Sequence, residues 1–149
     1  MIKSALCGSE NAAFLQSLLD DKFFSEICTF PVWKGKKWTG WLTLLRGMML
    51  LDGRKQGEPY PSLSVWKVRK YAAHIKENYS EQQKEHLYDV IDYLEKAFSK
   101  REKRLNARTI PKLMLWADKA MGKGYSGVGN IYLVKPEIFR RKILKQLKM

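Results

Sequence analysis

Apolar residues recur at helical spacing along most of the chain. Phe14, Leu15, Leu18 and Leu19 share one face of a segment that Ser9 can cap, which predicts a helix from about Glu10 to Asp20. "KFFSEICTF" suits a short helix or a strand, and Pro31 ends it. From Thr39 onward Trp41, Leu42, Leu44, Leu45, Met48, Met49 and Leu51 are apolar on most sides, the pattern of a central helix, with Gly53 as its stop. "DGRKQGEPYPS" is loop, punctuated by glycine and proline. Ser62 or Ser64 opens the next helix, whose stripe is Val65, Val68, Ala72 and Ile75.

Ser80 and Gln83 have the capping-box spacing and open the longest predicted helix, about 81 to 103, with Leu87, Val90, Ile91, Leu94 and Phe98 on its core face. Thr109 caps a further helix, Ile110 to Met121, which tolerates Pro111 in its first turn and stops at Gly122. "GKGYSGVGN" is a glycine-rich loop, "IYLV" has the composition of one short strand, and Pro136 begins a terminal helix. The expected fold is all-α or nearly so: a compact bundle of five to six helices, with room for one short strand or hairpin near 125–135. At 149 residues the chain suits a single helical domain, 1–149, with a basic C-terminal segment, 123–149. The expected common core is Leu44, Leu45, Met48, Val68, Ile91, Leu94, Leu113 and Ala117.

Charge narrows the function. Lysines and arginines number 28 against 15 acids, a net charge of +13. The surplus is segregated: residues 1–32 carry −2, 33–76 carry +8, 77–98 carry −4 and 99–149 carry +11. Soluble surfaces ordinarily mix their signs, whereas two basic blocks are the footprint of a polyanion binder. Within the first block, "PVWKGKKWTGW" interleaves Lys34, Lys36 and Lys37 with three tryptophans. Trp41 and Trp38 belong with the apolar helix; for Trp33 the ordinary outcome is burial, as for most large aromatics, with stacking on a base as the alternative. Lys67, Lys70 and His74 recur on one helix face away from Val68. In the second block "SKREKRLNAR" gathers Lys100, Arg101, Lys103, Arg104 and Arg108, and Lys112 and Lys123 follow. On the last helix Arg141, Lys145 and Lys148 form a row opposite Phe139, Ile143 and Leu147, with Arg140 beside them.

The glycine-rich loop adds a local likeness. "GYSGVGNIYLVKPEIFRRKI", residues 124–143, resembles the helix–two-turn–helix of formamidopyrimidine-DNA glycosylases. That resemblance implies backbone-amide and asparagine contacts to a DNA phosphate from Gly127, Val128, Gly129, Asn130, Ile131 and Tyr132. It covers about twenty residues. The family's catalytic N-terminal proline and zinc-binding cysteines are missing, so glycosylase chemistry does not come with it. The physics that remains is that glycines can bare a run of amide donors, which hold anions.

No enzyme signature reaches that level. Cys7 and Cys28 form no CxxC and stand far from His74 and His86, so neither a zinc site nor a disulfide is expected. Glu85, Asp89 and Asp92 share a helix face that suits Mg²⁺ in principle, but pairing with Lys84, Lys96 or a basic neighbouring helix is the ordinary outcome. No cofactor is expected. The first residues lack the apolar core of a secretory signal and "WLTLLRGMMLL" is too short to span a bilayer, so the expectation is a cytoplasmic protein with no membrane partner.

Three readings follow. The first is a non-enzymatic nucleic-acid-binding protein, a small basic subunit or accessory factor of a nucleoprotein assembly, that grips DNA or RNA through phosphates with weak sequence preference. The second is an inhibitor or adaptor of phage or mobile-element type that docks its basic face on an acidic protein. The third is a small ribonuclease-type toxin built on His74 or His86.

Overall fold

A computed structural model describes residues 8–29, 38–55, 64–122 and 133–147. Among these, six α-helices and one π-helical turn form the fold, and the all-α expectation holds. The helices are α1 (Ser9–Asp20), α2 (Trp38–Lys55), α3 (Val65–Asn78), α4 (Glu81–Ala97), α5 (Ile110–Met121) and α6 (Pro136–Gln146); the π-helical turn is Phe23–Ile27. Lys34, Lys36, Lys37, Lys123, Gly127, Gly129 and Asn130 lie outside the described residues, as do Trp33, Cys7 and most of the segment expected to hold a strand or hairpin.

Helix α2 is the centre. Trp41, Leu44, Leu45, Met48, Leu50 and Leu51 are all buried on it, because a helix apolar nearly all round has no face to give to water. Its most extensive partner is α5. The two approach closely at Gly47, where even a methyl group would fall on the Met114 thioether. Helix α4 packs on α5 and α6, α3 rests on α2, α1 packs on α2, and the π-helical turn lies against α1 and α4. All eight residues expected in the common core are buried.

Local chemistry sets the starts. Ser64 Oγ accepts from the Lys67 amide, and Ser80 and Gln83 make the reciprocal capping box. Pro136 occupies the first turn of α6, where its missing N–H costs nothing. Gly122 ends α5 at φ 94°, a left-handed conformation that glycine adopts without strain. Ser9 is not the cap it was expected to be: it is the first helical residue, and Gly8 precedes it at φ 90° with no side-chain cap bond.

Three further expectations need correction. Helix α2 does not stop at Gly53 but runs on to Lys55. Val65 leaves the apolar stripe of α3 and is exposed at its first position, while Val68, Ala72 and Ile75 are buried. The long helix predicted to reach 103 ends at Ala97. Phe98 turns extended, which carries its ring into the core, and the chain after it is claimed by other partners. The Glu102 amide donates to the Ile27 carbonyl at 3.0 Å, and the Thr29 amide to the Leu105 carbonyl at 2.8 Å. Leu105 is a buried anchor between them. Tertiary bonding has overridden the helix propensity of "SKREKR".

Polar ties cross the core. The Tyr71 hydroxyl donates to Asp52 Oδ2 and Gln83 Nε2 to Asp52 Oδ1, joining α3, α2 and α4. Burial, reinforced by the Asp52 charge, pushes the Tyr71 and Tyr79 hydroxyls well above their usual range. The Asn11 side chain donates to the Ile75 carbonyl at 2.9 Å, and Trp41 Nε1 to Gln16 Oε1 at 3.0 Å.

Candidate nucleic-acid interface

Two basic surfaces are built on different helices. The first is the segment between α4 and α5 together with α6. Helix α6 buries Phe139 and Ile143, and the Phe139 ring meets Tyr93 edge-on at 5.3 Å. The Tyr93 hydroxyl donates to the Val134 carbonyl at 2.7 Å. Leu133 and Val134 do not pair as a strand; their amides donate to the Met121 and Ala120 carbonyls at the end of α5. This staple fixes where α6 begins and turns Arg141, Lys142 and Lys145 outward, all exposed.

The far end of α6 meets the segment that follows Phe98. Phe98, Ser99, Lys100, Arg101, Glu102, Arg140 and Leu144 enclose a shallow recess of about 330 Å³. Lys100 and Arg101 reach it from one element and Arg140 from another, so residues forty positions apart place three cations round one opening. Glu102 is its acid, and it is already engaged. Arg104 grips it twice, Nε to Oε1 at 2.7 Å and Nη2 to Oε2 at 3.2 Å. That pairing holds the Glu102 carboxyl below its usual range and raises the Arg104 guanidinium. Arg104 Nη1 also donates to the Leu144 carbonyl at 3.1 Å, which satisfies an open acceptor at the C-terminal end of α6. Of the expected phosphate contacts, then, Arg101 and Arg140 come together with Lys100. Arg104 positions α6 and the recess. Arg108 is exposed just before α5, and Lys112 is exposed in its first turn.

The second surface is the outer side of α3. Lys67, Lys70 and His74 are exposed there, as their spacing predicts, and Arg69 joins them. The sequence reading missed Trp66. It lies off the Val68–Ala72–Ile75 stripe and is 64% exposed, with the Lys70 ammonium 5.0 Å from its ring centre. Its position off the stripe was readable from the helical spacing.

The histidine and carboxylate candidates are placed otherwise. His86 Nε2 lies 2.9 Å from Asp118 Oδ1 across the α4–α5 contact, and Asp118 is buried. His74 is exposed on α3. Lys96 pairs with Asp92 at 3.0 Å and Lys84 with Glu81 at 3.3 Å. The Asp89 carboxyl is raised, first by burial, with Asp92 and Glu85 adding and His86 and Lys96 opposing. Among the described residues no group of three or more His, Cys, Asp or Glu side chains is arranged to hold a metal ion. Cys28 is a buried free thiol, raised by that burial. No described helix is long and apolar enough to cross a membrane.

No protein-family model matches the chain, and neither a curated protein nor a solved structure is found to be similar to it.

Proposed function

We propose that the protein binds nucleic acid through its phosphates, without catalysis, as a small basic helical component of a nucleoprotein assembly. The observation that carries this reading is the convergence of Lys100, Arg101 and Arg140 on one recess where, among the described residues, the one carboxylate is paired with Arg104. Cations gathered from separate elements around an opening repel one another, and a bound polyanion relieves that cost. The exposed row Arg141, Lys142 and Lys145 extends the same surface along α6. The charge of +13 draws any nucleic acid toward it. Contacts made to phosphate carry little base information, so weak sequence preference goes with the reading.

The test replaces Lys100, Arg101, Arg141 and Lys145 by glutamine together. All four are exposed, so the fold should survive. Fluorescence anisotropy with single- and double-stranded DNA and RNA of arbitrary sequence should show weaker binding to every one that the parent protein binds. Unchanged affinity for all four, together with a protein complex that persists after nuclease treatment, would transfer the basic surface to an acidic protein partner.

A further inference from the structure

We infer that the outer face of α3 selects single-stranded nucleic acid, by stacking an unpaired base on Trp66 while Lys67, Arg69 and Lys70 hold the flanking phosphates. This rests on the nucleic-acid reading above and names its substrate class. Three observations carry it. Trp66 presents most of its surface to solvent, whereas Val68, Ala72 and Ile75 on the same helix are buried. The Lys70 ammonium stands over the Trp66 ring, 5.0 Å from its centre, so an aromatic ring and a cation are held together on one exposed surface. Lys67, Arg69 and Lys70 are exposed on the same stretch of helix, and the acid of this helix, Glu77, is in its last turn.

An exposed tryptophan also suits a protein interface, but the company it keeps here does not. Protein interface cores are depleted in lysine, and this ring has Lys67 and Lys70 for neighbours. Stacking platforms for single strands combine aromatic rings with a cationic track, as here. A duplex keeps its bases in the helical stack, so it can use the cations but not the ring. Every base has a π-face, and the selection is therefore for strandedness rather than sequence.

The experiment compares the parent protein with Trp66→Ala, Trp66→Phe and Lys67→Gln/Lys70→Gln. Each is titrated against one arbitrary 20-mer as a single strand and as its duplex, with circular dichroism and melting temperature verifying the fold. Trp66→Ala should weaken single-strand binding at least about fivefold, the weight of one base stack, and leave duplex binding unchanged. Trp66→Phe keeps a ring and should recover most of the loss. The double lysine variant should weaken both. Equal loss on both forms, or no loss on either, overturns the inference while leaving phosphate-led binding in place. Trp66-dependent binding to anionic phospholipid vesicles with no strand preference also overturns it. Absence of salt-dependent binding to either form by the parent protein refutes the nucleic-acid reading itself.

Discussion

At the scale of single residues, two charged groups show how position decides role. Glu95 Oε1 accepts from the Phe23 amide at 3.2 Å, and its carboxyl is held above the usual range, chiefly by burial and then by a hydrogen bond to Asp21 and that group's charge, with Asp92 adding. A carboxyl raised on folding binds more protons folded than unfolded, so its contribution falls as pH rises from about 4 through the folded value. Glu95→Gln keeps an acceptor for Phe23 and a donor for Asp21. Its melting temperature should match the parent's near about pH 4 and exceed it at about pH 7, where the parent carries the extra charge; parallel curves would refute this. Arg104 is the second case. Because it ties Glu102 to the end of α6, Arg104→Ala should lower the melting temperature, whereas Arg101→Ala, exposed nearby, should not. Both arginines were legible as basic residues. What separated them was a pairing two residues along and a carbonyl forty residues away, which spacing does not encode.

At the scale of elements, periodicity located every described helix, because each has an apolar face that only a helical repeat aligns. The capping box at Ser80 and the Gly122 stop were readable for the same reason: their signals are local. The end of α4 was not, since Phe98 leaves the helix for the core and the chain beyond it bonds to residues 27–29. The π-helical turn falls within the segment that suited a short helix or a strand, and its Phe23, Phe24 and Ile27, all buried, left that choice to packing. The α2–α5 contact yields a stability test. Gly47→Ala drives a methyl group against the Met114 thioether and should destabilise by about 1–3 kcal/mol through overpacking. Met114→Ala should cost less in that background than in the parent, because the added methyl fills part of the space vacated. Denaturant midpoints of the four proteins check the cycle, and additive effects would show that the contact is not shared. Leu94→Ala, at a site fully closed to water, should cost about 2–5 kcal/mol.

At the scale of the whole molecule, charge was the most legible property and the site the least. Segregation into basic blocks is visible in one dimension, but folding decides which cations meet. It brings Lys100 and Arg101 to Arg140 and sets Lys67 and Lys70 on a separate helix beside Trp66. If phosphate contacts dominate, binding is largely counterion release, and its signature is a linear fall of log K with log[salt]. The most direct measurement is therefore the affinity of the parent protein for one arbitrary single-stranded 20-mer between about 50 and about 200 mM salt. Phosphate-led binding predicts a slope steeper than about −3, since each contact adds roughly 0.7 for a single strand and the two surfaces together offer more than four exposed cations. A flat line, or no binding at the lowest salt, would contradict it.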